Sequence, residues 1–211
     1  SIPGPMKEYI CGDSPTGAAF TPGGALVVGD VAHCKVKILD PSTGKVSVSF
    51  GKKHQKGLVP PYSDGTFQCI AGVAVSGDRI LVSDSGRNNV QVFDLGGNFE
   101  REVEVMDIDR QVVLLNRPKG IAVNGAGDLL AIAEEGDSRV LLVRLASGLM
   151  MREVGGDGCD GNSRLSGPSD VAFTRTGKLL VADSKNSRVV MFDQFGELVR
   201  SIGSQGSGDG H

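Results

Sequence analysis

One sequence pattern occurs four times along the chain, and this repetition constrains the fold more than any other feature. In residues 168–203 it consists of four short apolar runs, separated by turns rich in Gly, Asn, Asp and Ser. Such runs predict antiparallel β-strands, named a to d in chain order. No window keeps the i, i+3, i+4 apolar spacing of a helix. The other copies span residues 15–51, 70–106 and 118–155.

Four strands in a unit of about 40–50 residues predict an all-β fold, the β-propeller, in which each unit is one radial blade. A single blade cannot bury both faces of its sheet, but blades stacked side by side around an axis can. The length variation falls between strand d and the next strand a, where the linkers between blades are expected.

Strand b ends on an acid in every copy, and a cation or an amide follows five residues later. These pairs are Asp30 and Lys35, Asp84 and Asn89, Glu134 and Arg139, and Asp183 and Arg188. Because the group recurs in every blade, we expect a structural role. The acid would accept backbone N–H groups of the turn, and the second residue would pair with it or with the next blade. A ring of functional groups is the alternative.

The segments LVADSKNSRVVMFD (residues 180–193) and VSDSGRNNVQVFD (residues 82–94) resemble the NHL repeat. The resemblance implies a ring of five or six blades, so we expect the four blades to be a slice of a longer propeller. A closed ring of four blades with frayed ends is the alternative. Residues 7–12 would then be an orphan outer strand d. The chain is also similar to the C-terminal propellers of tripartite-motif ubiquitin ligases. There the propeller recruits protein substrates or binds single-stranded RNA on one face.

Composition excludes several classes of function. With 22 basic and 25 acidic residues, the chain has no overall attraction for nucleic acid or an anionic membrane. No apolar run approaches the ~20 residues of a membrane helix. The four scattered cysteines fit reduced thiols in the cytoplasm, with an extracellular propeller as the alternative. No catalytic motif or metal-ligand spacing is present, so we predict no enzyme activity, cofactor, metal or small-molecule substrate.

The linkers differ from blade to blade, and a binding site is therefore expected there. In a propeller the linkers and the b–c loops lie on the same face. The candidate binding residues on this face are Lys52, Lys53, His54, Lys56, Tyr62, Arg87, Arg117, Lys119 and Lys185. The run of residues 52–56 precedes Tyr62 and Phe67, and cations beside aromatic rings suit RNA.

Acids are interspersed with these cations, and the net charge is −3. We therefore predict a protein partner first and single-stranded RNA as the alternative. A third hypothesis is a metal-dependent enzyme, because related propellers include lyases and lactonase-like hydrolases with a metal at the axis. The apolar residues of strand a weigh against it.

Overall fold

The computed structural model describes residues 14–53, 65–159 and 161–204. They form four antiparallel sheets of four strands each, arranged as the blades of a β-propeller, which confirms the predicted fold class. In each sheet the strands follow in sequence order, so every blade is a meander. The predicted orphan strand at residues 7–12 lies outside the described residues.

The strands occupy the positions that the repeats predict. Blade 1 contains β1 (Pro15–Phe20), β2 (Leu26–Asp30), β3 (Lys35–Leu39) and β4 (Val46–Phe50), and a parallel pair, β5 (Lys52–Lys53) and β6 (Thr66–Phe67), follows it. Blade 2 contains β7 (Ile70–Ser76), β8 (Arg79–Asp84), β9 (Asn89–Asp94) and β10 (Phe99–Glu102). Blade 3 contains β11 (Pro118–Val123), β12 (Leu129–Glu134), β13 (Arg139–Arg144) and β14 (Met150–Val154). Blade 4 contains β15 (Pro168–Phe173), β16 (Leu179–Asp183), β17 (Arg188–Phe192) and β18 (Leu198–Ile202). Two short 3₁₀ helices span Gly161–Ser163 and Ser184–Asn186.

The core lies between the blades. Blades 1 and 2, blades 2 and 3, and blades 3 and 4 each enclose one apolar cluster. In the last of these, Val181 and Val190 of blade 4 pack with Ala131 of blade 3, and all three side chains are fully buried. Burial of apolar area between sheets, at about 25 cal/mol per Å², is thus the main force that joins one blade to the next.

Blades 1 and 4 each have a face without a neighbouring blade. Among the described strands, none of blade 1 packs on blade 4 as closely as neighbouring blades pack on each other. Phe20 on β1 is 63% exposed, and Val189 on β17 is 39% exposed. The described blades therefore form an arc, and the five- or six-bladed ring stays a prediction.

The linker between blades 2 and 3 is a β-hairpin fastened to blade 3. Its backbone closes through the Val113 N–H, which donates to the Val105 carbonyl at 2.8 Å. Met106 bonds with the c–d turn of blade 3, donating to Gly148 O and accepting from Met150 N. Gly148 has φ +70°, and a Cβ there would clash with the backbone oxygen of Glu104. This turn therefore needs glycine for its conformation and for the close approach of the hairpin.

Replacing Gly148 by Ala should destabilise the protein more than the matched change Gly177→Ala. Both glycines have a left-handed φ, +70° and +79°, but nothing lies within 4 Å of a Cβ at Gly177. Each variant therefore incurs the left-handed penalty of about 1–2 kcal/mol, and G148A adds an overpacking cost of about 1–3 kcal/mol. Urea unfolding measures both. Equal losses would show that the hairpin does not press on this turn.

Candidate recognition face

The b–c loops (residues 31–34, 85–88, 135–138 and 184–187) and the linkers that enter each blade meet at one end of the strands. We call this end the loop face. The acids that end strand b lie just beneath it, and the side chains of Asp30, Asp84, Glu134 and Asp183 are all fully buried. A buried carboxylate is stable only when hydrogen bonds replace its water, so the partners of these acids define the architecture of the face.

Three of the acids bind the backbone of the linker that enters their own blade. Asp84 accepts the N–H groups of Gln68 at 2.7 Å and Cys69 at 2.8 Å. It also accepts two N–H groups of its b–c loop, from residues 86 and 87. Glu134 accepts the N–H of Asn116 at 2.6 Å. Asp183 accepts the N–H of Ser166, also at 2.6 Å. These carboxylates thus fasten each linker to a blade.

Two of the four predicted side-chain pairs are present. Arg139 Nε lies 2.6 Å from the Glu134 carboxylate, and Arg188 Nε lies 2.7 Å from that of Asp183. The Arg188 guanidinium also donates to the Arg164 carbonyl at 2.6 Å, which adds a second tie to the linker.

The other two predicted pairs are wrong. Asp30 pairs with Lys37 at 2.9 Å and with His33, whereas Lys35 donates to the carbonyl of Gly51 at 2.7 Å. Lys35 and Lys37 point to the same side of β3, because side chains alternate along a strand, so spacing does not separate them.

In blade 2 the amide of Asn89 does not bind Asp84. Its Nδ2 donates to Glu102 Oε1 at 2.6 Å. Asp84 already accepts four backbone N–H groups and therefore needs no side-chain partner.

Burial raises the pKa of both Glu134 and Asp30, but the net shift is upward for Glu134 and downward for Asp30. Loss of water raises the pKa of Glu134 above its usual value, although the Asn116 N–H and Arg139 act in the opposite direction. Burial also raises the pKa of Asp30, but the bonds from Lys37 and His33 outweigh it, so the net pKa of Asp30 is lowered. Asp30 is thus held as a carboxylate chiefly by Lys37.

Lys37→Met should destabilise the protein more than Lys35→Met. Both lysines make charge-assisted bonds. K37M leaves a buried carboxylate without its cation, which we expect to cost about 3 kcal/mol, whereas K35M leaves a neutral carbonyl without its donor, at about 1–2 kcal/mol. Because the folded pKa of Asp30 is lowered, its contribution is present above the unfolded pKa of about 3.9 and is lost as the pH falls through the folded pKa.

The gap in unfolding free energy between K37M and the unmodified protein should therefore narrow below about pH 4. Urea unfolding at pH 7 and at pH 3 checks this. Equal effects of the two substitutions, or a gap that does not change with pH, would refute the pairing of Asp30 with Lys37.

The structure distributes the predicted binding residues over several blades. Lys52 and Lys53 are exposed on β5, and Lys185 is exposed in the b–c loop of blade 4. Arg117 and Lys119, before and in β11, both pair with Glu135, at 3.1 and 3.4 Å. His54, Lys56 and Tyr62 lie outside the described residues.

Arg87 and Phe67 are structural, which corrects their expected role. The Arg87 side chain is only 3% exposed, donates to the Thr66 carbonyl at 2.8 Å and pairs with Glu102 at 3.2 Å. Phe67 is fully buried beside Phe93, with ring centroids 5.7 Å apart. Its ring therefore offers no surface on which a base could stack.

A cleft of about 920 Å³ opens on the loop face between blades 3 and 4. Its charged lining residues are Asp137, Arg139, Glu153, Asp157, Arg164 and Arg188. At its rim Arg164 pairs with Asp157 at 2.7 Å, with 59% and 92% of the side chains exposed. Deeper in, Arg139 binds Glu153 at 2.8 Å and Asp137 at 3.2 Å. Residues 155–162 are rich in Gly and Asp, a composition typical of a turn, and no motif in them indicates a cleft. The linker that lines the cleft is charged and differs from the other linkers, and this difference is the sequence signal that indicates a site there.

The axis of the arc offers little chemistry. The four strands a line a space of about 520 Å³ with mostly Gly, Ala and Val side chains, and Asp170 is the acid among them. Within the described residues, no group of three or more His, Cys, Asp and Glu side chains is placed to hold a metal ion. No described helix is long and apolar enough to cross a membrane.

A family model described as NHL repeat matches residues 67–93 and 165–192, the two copies in which the resemblance is clearest. The chain contains NHL repeats. Its NHL segments lie in blades 2 and 4, and each match runs from the entering linker into strand c. The resemblance to tripartite-motif proteins remains a prediction.

The NHL propeller is similar to the Protein brain tumor of Drosophila melanogaster, with 28% identity over 142 residues. That match covers 66% of this chain but only 13% of the Drosophila protein, so the shared part is a small portion of the relative.

Solved structures show the same fold at low identity. Kuenenia stuttgartiensis hydrazine synthase aligns with a TM-score of 0.64 and 17% identity, over 95% of this chain and 52% of that one. A Staphylococcus aureus virginiamycin B lyase aligns at 0.58 and 15%, over 88% and 54%. A streptogramin B lyase aligns at 0.60 and 18%, over 89% and 53%. The chain thus spans about half the length of each of these structures.

Proposed function

We propose that this NHL propeller is a non-catalytic recognition module that binds a protein partner through its loop face. The observation that carries the proposal is the cleft between blades 3 and 4, whose lining contains three carboxylates and three arginines. A surface of both signs is complementary to another protein surface, which also carries both signs. Arginine, of which the cleft holds three, is enriched in protein interfaces.

The scaffold beneath the cleft supports the same proposal. Glu134 and Asp183 hold the entering linkers from below, at Asn116 and Ser166. Side chains on a fixed linker lose little conformational freedom on binding, which favours affinity. The blades can therefore stay constant while the linker residues define the partner.

Single-stranded RNA ranks second. Binding of RNA needs cations that neutralise phosphates, but Arg117, Lys119 and Arg164 on this face already pair with carboxylates of the chain. Lys52, Lys53 and Lys185 are exposed cations that favour RNA.

An enzyme is the least supported alternative. The side chains that line the axis are mostly those of Ala and Val, with Asp170 as the acid among them, where the enzyme hypothesis requires several metal ligands. In a longer protein of the tripartite-motif kind, the module would recruit substrates for ubiquitination in the cytoplasm. The free state of Cys34, Cys69 and Cys159 fits that compartment.

Exchanging the charges of the rim pair tests the site. The variant D157R/R164D keeps an opposite-charge pair at an exposed position, so the free energy of unfolding should change by less than about 0.5 kcal/mol. The experiment places the photoreactive residue p-benzoylphenylalanine at Lys185 on the loop face, and at Asp78 on the opposite face as control. Proteins cross-linked from a cell lysate are identified and purified, and binding is then measured by calorimetry.

A partner that cross-links from Lys185 but not from Asp78, and that binds D157R/R164D at least tenfold more weakly, is the expected result. Adducts from both faces alike, or unchanged affinity of the variant, would refute the proposed site. Submicromolar binding of random-sequence single-stranded RNA that weakens steeply between 50 and 200 mM salt would place RNA first.

A further inference from the structure

The hairpin of residues 103–115 has two faces of different environment. Side chains alternate along each of its strands, and those of Val103, Val105, Val113 and Leu115 point inward. All four belong to the apolar cluster between blades 2 and 3. This face accounts for the position of the hairpin in the fold.

The outward face is also apolar, although it faces solvent. Val112 is 55% exposed, Leu114 is 82% exposed, and Ile108 at the tip is 80% exposed. A sheet covered on one side normally carries polar residues on the other. In the linker to blade 4, by contrast, the large aliphatic side chain, Leu165, is 2% exposed. Aliphatic residues on both faces indicate a ribbon that is covered on both faces when it functions.

The hairpin is rigid enough to present these side chains in one arrangement. Asp107 Oδ1 accepts the N–H groups of Asp109 at 2.9 Å and Gln111 at 2.8 Å, which closes the tip. Next to the tip, Met106 makes two backbone bonds with the c–d turn of blade 3. A fixed apolar surface loses little entropy on association.

The tip of the hairpin lies away from the loop face, whereas its base, at Val103 and Leu115, adjoins that face. The c–d turn that holds the hairpin lies at the opposite end of strand c from the b–c loops. Blades 2 and 3 both have neighbours on each side, so the exposure does not come from the open faces of blades 1 and 4. A recess of about 150 Å³ lies beside Ile108, between the tip and residues 147–149. The surface thus offers projecting side chains and one shallow hole.

Charge distinguishes between the possible occupants. The hairpin contains three carboxylates, of Glu104, Asp107 and Asp109. Arg110 is the one cation in residues 103–115, and it lines the recess beside Ile108. A second copy of this chain would bring the same acids into contact, which is unfavourable. Lysine or arginine on the occupant would be attracted instead.

We propose that this hairpin is a second docking surface, separate from the loop face, for a protein with an apolar pocket bordered by Lys or Arg. Ile108 and Leu114 insert into the pocket, and Glu104 and Asp109 face the basic border. Buried aliphatic anchors within a charged rim are the arrangement in which a few residues supply most of the binding energy.

The test uses the full chain with p-benzoylphenylalanine at Val112, and at Phe195 as control. Phe195 is a 59% exposed aromatic residue in the c–d turn of blade 4, away from the hairpin. Proteins cross-linked from Val112 but not from Phe195 are identified and purified. Their affinity is then measured for the unmodified chain, for I108S/L114S, for E104K/D109K and for the control F195S. Circular dichroism and melting temperature verify that each variant folds.

We expect I108S/L114S and E104K/D109K each to weaken binding at least tenfold, F195S to leave it unchanged, and higher salt to weaken it further. The partner's cross-linked surface should carry Lys or Arg beside apolar residues. D157R/R164D should bind this partner normally, which separates this result from failure of the loop-face site.

Several results would overturn the proposal. These are no adduct specific to Val112, an adduct between two copies of the chain accompanied by a concentration-dependent dimer in sedimentation, and a cross-linked partner whose affinity is unchanged by I108S/L114S. A partner with an acidic contact surface would overturn it as well.

Discussion

The buried carboxylate at the end of each strand b is the constraint on which the loop face depends. Asp84, Glu134 and Asp183 are fully excluded from solvent, and each accepts a backbone N–H from the linker that enters its blade. An unpaired carboxylate would be very unstable at such a site, so in blades 2, 3 and 4 the buried acid holds the linker. One interaction thus stabilises the blade and orders the chain that connects it to the preceding blade.

Because the carboxylates bind the linker backbone, the linker side chains can differ from blade to blade. The acids bind backbone N–H groups, which every residue except proline supplies, so they place few demands on linker sequence. The linker to blade 4 lines a charged cleft, whereas the linker to blade 3 forms a hairpin with exposed aliphatic side chains. The same scaffold therefore carries two surfaces of different chemistry, one on the loop face and one on a hairpin whose tip lies at the other end of the strands.

The repeats predicted the strands and the propeller because both follow from local apolar runs and turn residues. The repeats do not predict which of two side chains on the same side of a strand binds a given acid. Lys35 and Lys37 lie on one side of β3, and Asp30 binds Lys37. Nor does the sequence show which side chains of the b–c loops are buried. Arg87 was predicted to bind a partner but is buried against Thr66, because that position depends on packing between distant segments.

The most direct test of this account is amide hydrogen exchange in the variant Asp84→Asn. Its side chain keeps its shape but loses the charge and one of the two acceptor oxygens. The amide of either Gln68 or Cys69 therefore loses its acceptor, while the strand hydrogen bonds remain. We predict at least tenfold faster exchange at Gln68 or Cys69 and little change in β7 and β8. Unchanged protection at both amides, or equal loss of protection throughout blade 2, would contradict the claim that the carboxylate specifically holds the linker.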